Sequence, residues 1–158
     1  MTKKTKEDRE IEGCGKEKPH FGAMLGFERV ESAENTSIFE LRLRPEHCNQ
    51  YGSVHGGVLM SLLDAAGLWA GAYRNGALSS VSTAALNCNF LRGARWGEVV
   101  GLRATGEVTK RGKSLYFSST RVHACPGGDL LATGQGVYGS APGQAAPRTD
   151  APSGKGGE

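Results

Sequence analysis

The stretch Val54–Ala70, VHGGVLMSLLDAAGLWA, limits what this chain can fold into more than any other part of it. Two glycines open a long apolar run, and that run carries one charged side chain, Asp64. The spacing predicts a helix from Gly56 to about Tyr73, with Asn75-Gly76 as its stop signal. A helix that is apolar around most of its circumference must be covered on most sides. The rest of the chain has to supply that cover.

Beyond the helix the chain reads as strand. Residues 79–91, 98–110, 114–124 and 130–139 are extended in character, punctuated by Arg111-Gly112-Lys113 and by Pro126-Gly127-Gly128-Asp129. Before the helix, Phe39, Leu41 and Leu43 alternate with Glu40, Arg42 and Arg44, the period of a half-buried antiparallel strand, and Pro45 ends it. Residues 20–26 read as a short helix or turn feeding a first strand at Phe27–Val30. Strand, strand, long helix, then strands joined by tight turns predicts an α+β architecture: one long central helix wrapped by a curved antiparallel sheet.

The 158 residues suit one domain. Residues 1–18 mix charges with few large aliphatics and predict a disordered arm. Residues 141–158 are rich in Pro, Gly, Ala and Ser and predict a disordered tail, leaving 19–140 as the folded domain. A net charge of +3 without a basic stripe interleaved with aromatics gives no sign of nucleic-acid binding, though it suits a phosphate-bearing substrate. No apolar run is long enough to span a membrane, and no apolar core follows the basic N-terminus as a secretory signal requires. Cys14, Cys48, Cys88 and Cys125 are scattered, without a CxxC pair, which suits reduced thiols in a cytoplasmic protein. His20, His47 and His123 lack metal-ligand spacing, so no metal is expected and they read as structural or surface residues. Ser61 lacks the G-x-S-x-G elbow of a serine hydrolase.

The chemistry concentrates on the helix. Met60, Ser61, Gly67 and Leu68 share a face with Asp64, so its carboxylate is expected to be at least half buried. Burial raises a carboxyl pKa and suits it to act as nucleophile or general base. The competing reading makes Asp64 the solvent-facing position of an amphipathic helix. At the helix start, Gly56 and Gly57 offer backbone N–H groups at the positive end of the dipole, a place to polarise a carbonyl. Eight residues separate Gly56 from Asp64, about 12 Å at ~1.5 Å per residue. One carbonyl cannot reach both groups of one helix, so a shared role predicts a two-fold dimer with composite sites.

The run Asn49-Gln50-Tyr51-Gly52-Ser53-Val54-His55-Gly56-Gly57, with Asp64 nine residues after His55, resembles the hotdog-fold acyl-CoA thioesterases of the PaaI/4-hydroxybenzoyl-CoA thioesterase type. The segments Asn89-Phe90-Leu91-Arg92 and Arg111-Gly112-Lys113 also look like that group. The resemblance covers about residues 20–140. It implies a helix wrapped by a curved sheet, homodimers with a continuous sheet, and pairing into homotetramers. It also implies that Asp64 attacks the thioester or activates water, that the Gly56 N–H polarises the thioester carbonyl, and that Asn49 helps to place water or carboxylate. His55 would support the helix start, and Thr83 would lie beside the acid. Gly57 is expected to bind substrate, and Arg92, Arg95, Lys110, Arg111 and Lys113 fall near the nucleotide of coenzyme A. Ala84 and Ala85 depart from the family pattern, which often has an acidic residue there.

The expected activity is therefore hydrolysis of an aryl- or acyl-CoA thioester to free acid and CoA, with no cofactor beyond the CoA carried by the substrate. A hotdog hydratase acting on enoyl thioesters and a non-catalytic acyl-CoA-binding protein are the alternatives. Trp69, Trp96, Tyr51 and Cys88 read as core more readily than as site residues.

Overall fold

The computed structural model describes residues 20–74 and 77–141. The expected arm, the Asn75-Gly76 stop signal and the tail beyond Ala141 lie outside these residues. A short helix α1 (Phe21–Leu25) leads into strands β1 (Phe27–Ala33) and β2 (Thr36–Arg42), and then a 3-10 turn (Pro45–His47). Helix α2 (Gly56–Ala72) comes next, then a small hairpin of β3 (Tyr73–Arg74) and β4 (Ala77–Leu78). The long strands β5 (Ser80–Phe90), β6 (Gly101–Arg111), β7 (Leu115–Cys125) and β8 (Leu130–Ala141) complete the chain. The first strand is longer than the sequence suggests, because Asn35 takes a left-handed conformation (φ 68°) that closes a tight β1–β2 hairpin.

Six strands form one antiparallel sheet in the order β1-β2-β6-β7-β8-β5. Its concave face holds α2. Phe39 and Leu41 from β2, Leu102 and Ala104 from β6, Val122 and Ala124 from β7 and Ala132 from β8 pack on Val58, Leu59, Leu62, Leu63 and Ala66. Leu62 and Leu63 are wholly enclosed, each contributing on the order of 2 kcal/mol through burial. This is the wrapped helix that the apolar run requires.

The C-terminal half of α2 is bound to the sheet by side chains. Ser37 Oγ donates to Ala66 O (2.7 Å), Ser118 Oγ to Gly67 O (2.9 Å), Tyr116 Oη to Leu68 O, and Arg111 Nη1 to Gly71 O (3.1 Å). Glycine permits the approach. A Cβ on Gly67 would stand 2.1 Å from the Tyr138 hydroxyl, and one on Gly106 would stand 2.1 Å from the Ala66 carbonyl oxygen. At the other flank, β5 pairs with β8 only and leaves an eleven-residue strand edge unpaired among the described residues. Its burial is shallow along its whole length.

Candidate active site

The loop before α2 is built to hold the helix start. Asn49 Oδ1 accepts from the backbone N–H groups of Tyr51 (2.9 Å) and Ser53 (3.2 Å), and Gly52 completes the turn at φ 74°. Buried His47 braces this loop from below. Its Nδ1 accepts from Arg44 N–H (3.0 Å), so its Nε2 carries the proton and donates to Leu25 O (2.8 Å). Its carbonyl accepts from His55 N–H (2.8 Å). His47 thus joins α1, the 3-10 turn and the helix cap, a structural role consistent with its lack of metal-ligand spacing.

His55 is the N-cap of α2, and its Nδ1 accepts from Gly57 N–H (2.9 Å). Val58 N–H (2.9 Å) and Leu59 N–H (3.4 Å) both reach His55 O. Of the four N–H groups that a helix start leaves over, only that of Gly56 has no acceptor among the described residues. The two glycines therefore differ. Gly57 is committed to the cap, and a Cβ there would come 3.0 Å from His55 Nδ1. Gly56 has its N–H open, and the nearest side chain to its missing Cβ is the Phe90 ring, at 3.6 Å.

Two turns along the same stripe lies Asp64, half-buried as its apolar neighbours predict. Thr83 of β5 donates its hydroxyl to Asp64 Oδ1 (2.8 Å). Burial pushes the Asp64 carboxyl above the usual carboxylate range, and the Thr83 hydrogen bond pulls in the opposite direction. Below this pair lie Tyr116 and Tyr138, stacked with centroids 5.3 Å apart. Burial pushes both phenols up and the Asp64 charge adds to this, while Arg111 opposes it at Tyr116 without reversing it, so both stay protonated. Burial, followed by the charge of Asp64, likewise pushes up the Cys88 thiol, which is therefore not an activated nucleophile.

The expected basic residues are not equivalent. Arg111 uses its guanidinium on Gly71 O and on Asn35 Oδ1 (3.2 Å), and so anchors the helix C-terminus. Arg92 pairs with Asp129 at 2.6 Å on the surface. Lys113 stands exposed in the β6–β7 turn, and Arg95 and Lys110 are exposed as well. Tyr51 and Trp96 are 76% and 47% exposed, not core, because both belong to the surface loops that flank the helix start. Cys88 does pack against the core, and so does Trp69, beneath the Arg29 guanidinium at 4.0 Å. Sequence reasoning misses the stacked tyrosines; their signal is Gly67-x-x-x-Gly71 on the helix, facing two tyrosines on neighbouring strands. Among the described residues no group of three His, Cys, Asp or Glu could hold a metal ion, and no helix is long and apolar enough to cross a membrane.

The chain is similar to known proteins in sequence and in fold. The profile of the Thioesterase superfamily matches residues 51–130, from the loop before α2 to the start of β8. A Pseudomonas aeruginosa protein named as a candidate esterase is 32% identical over 108 residues, covering 68% of this chain and 78% of that protein. Acyl-coenzyme A thioesterase 13 of Homo sapiens is 29% identical over 136 residues, covering 85% of this chain and 95% of its own length. Among solved structures, zebrafish thioesterase superfamily member 2 superimposes with a TM-score of 0.67 at 25% identity, over 79% of this chain and 89% of that one. The E. coli PaaI protein, from the phenylacetic acid degradation operon, gives 0.68 at 23% identity over 77% and 84%, a likeness of fold.

Proposed function

The chain belongs to the Thioesterase superfamily, with the hotdog fold and a thioesterase activity, and we propose that its substrate is an acyl- or aryl-CoA thioester, cleaved to free acid and CoA. One observation carries the mechanism: among the described residues, the single unfilled N–H of the helix start belongs to Gly56, on the same stripe of α2 as a half-buried carboxylate. The Gly56 N–H, at the positive end of the helix, holds the thioester oxygen as negative charge grows on it. Asp64 attacks the carbonyl carbon to give a mixed anhydride that water then opens, or it takes a proton from the attacking water. Thr83 fixes the orientation of the carboxylate. Asn49, with its Oδ1 spent on the loop, offers its amide nitrogen to the water or substrate. Coenzyme A enters as part of the substrate and no other cofactor takes part. Exposed Lys113, Arg95 and Lys110 are more available to its phosphates than Arg111 or Arg92, whose guanidinium groups have partners within the chain.

The site is completed by a second copy of the chain. Along β5, Thr83 stands beside Asp64 and Phe90 beside Gly56, so this one edge strand carries a marker of each half-site. Two β5 edges paired antiparallel about a two-fold axis between Leu86 and Asn87 would bring Phe90 and Gly56 against Thr83 and Asp64 of the partner subunit. The same pairing satisfies the open edge. Further pairing of such dimers into a tetramer is part of this reading.

The test is release of free CoA thiol from aryl-, short- and medium-chain acyl-CoAs by the wild type and by Asp64→Ala. No release by the wild type across the panel overturns the proposal. Gly56→Pro deletes the N–H at a helix position that suits proline. Mixing Gly56→Pro with Asp64→Ala chains should restore part of the activity if sites are shared, and none if each chain holds a full site. Single turnover in labelled water separates the two roles of Asp64, since label enters its carboxylate only by the anhydride route.

A further inference from the structure

Phe90 is a large apolar side chain left 51% exposed on the inner face of β5, and its register partner on β8 is the small Ala132. Its ring edge lies 3.6–3.7 Å from where a Gly56 Cβ would be, beside the residue that carries the unfilled N–H. Met60, 45% exposed, sits one helical turn from both Gly56 and Asp64 and continues the apolar wall between them. A carbonyl oxygen held by the Gly56 N–H lies ~2.9 Å from that nitrogen. The acyl α-carbon is two bonds beyond the oxygen. That distance brings the acyl α-carbon within reach of the Phe90 ring.

Resting on the reading of Gly56 as the carbonyl-holding donor, we propose that Phe90 is a specificity-determining residue that packs against the acyl α-carbon, admitting an unsubstituted CH2 there and rejecting an α-methyl branch. The ring is planar and stiff in itself, and its backbone is held by the pairing of β5 with β8. An unsubstituted α-carbon leaves the ring free to cover the thioester oxygen from water, which strengthens the Gly56 contact. A single methyl group misfit in a pocket of this kind discriminates by about 10- to 200-fold.

The test compares kcat/KM for pairs that differ by one α-methyl: butanoyl- against 2-methylbutanoyl-CoA, and phenylacetyl- against 2-phenylpropionyl-CoA. The enzymes are wild type, Phe90→Leu and Phe90→Ala, each checked by thermal melting. The wild type should prefer the unbranched member about tenfold or more. Phe90→Ala should bring the ratio within about threefold, with the branched substrate gaining while the unbranched one loses, and Phe90→Leu should fall between. Damage to the fold would lower both members together. No preference in the wild type, or a ratio unchanged in Phe90→Ala, overturns the assignment and leaves thioester hydrolysis standing. Release of CoA from no member of either pair, nor from the wider acyl-CoA panel, removes the substrate reading and this assignment with it.

Discussion

The two halves of α2 are held in different ways. From Ala66 onward, four carbonyls accept hydrogen bonds from side chains of the sheet, and glycines on helix and sheet let the two backbones close in. From Gly56 to Ser61 the helix keeps an unfilled N–H at its tip, and its exposed stripe faces a strand edge with no partner among the described residues. Asp64 stands at the junction, half-buried, with the locked half of the helix on one side and Thr83 of the edge strand against its carboxylate. A carboxylate that must be both partly desolvated and reachable needs such a boundary, since burial alone would neutralise it and exposure alone would leave it unremarkable.

The largest expected effect falls on the junction. Asp64→Asn should lower kcat by about three orders of magnitude, as loss of a nucleophile or base does. It should also stabilise the fold at neutral pH. The folded-state carboxyl titrates above its unfolded value, so the native state binds its proton more tightly. As pH rises from below the ordinary carboxylate range, the unfolded chain ionises first, and stability falls until the folded pKa is passed. Melting temperature against pH should therefore show the variant gaining over wild type above that window and losing the gain below it. A variant less stable than wild type at pH 7 would mean that the carboxylate is supported by contacts other than Thr83.

The locked half predicts the next effect. Gly106→Ala drives a methyl group against the Ala66 carbonyl, which is backbone and cannot rotate away. A loss of about 3 kcal/mol, read by urea unfolding, is expected from such overpacking. Gly56→Ala, whose methyl would only touch the Phe90 ring, should stay within about 1 kcal/mol. Equal losses would erase the contrast between the halves.

Most of the locked half is legible from the sequence in outline. An apolar run of helical length, succeeded by strand-length segments with glycine turns, leaves little choice but a wrapped helix. The positions of Gly56 and Asp64 on one stripe come from helical period alone. The difference between Gly56 and Gly57 does not, because it depends on which ring nitrogen of His55 faces the helix and whose N–H it takes. Nor can a count of basic residues separate Arg111 from Lys113. Arg111 is held by Gly71 O and Asn35 Oδ1, contacts 40 and 76 residues away in sequence. Thr83 is reached by resemblance, and the β5 bulge between Thr83 and Ala85 that shifts its register is not written in any local pattern.

Thr83 gives a smaller effect and a clear sign. Its hydrogen bond favours the charged form of Asp64, so Thr83→Val should move the acidic limb of the kcat/KM profile to higher pH. The plateau rate should fall about three- to tenfold as the carboxylate loses its orientation. A limb that moves to lower pH, or does not move, would show that this hydroxyl does not act on the reacting carboxylate.

The smallest effects come from the stacked tyrosines, and they should differ in sign. Tyr116 Oη has an acceptor in Leu68 O, whereas Tyr138 Oη is buried between Gly67 and Gly136 with no hydrogen-bond partner among the described residues. Removing a satisfied hydroxyl leaves a carbonyl short of a donor, so Tyr116→Phe should cost about 1 kcal/mol. Removing an unsatisfied one relieves a desolvation cost, so Tyr138→Phe should be neutral or stabilising by up to about 1 kcal/mol. Both rings remain to fill the space under Gly67 and Gly71, so packing is held nearly constant across the pair. If Tyr138→Phe instead destabilises by as much as Tyr116→Phe, its hydroxyl has a partner in solution, and an internal water reaching toward Thr120 Oγ1, the neighbouring unsatisfied hydroxyl, is the group that would supply it.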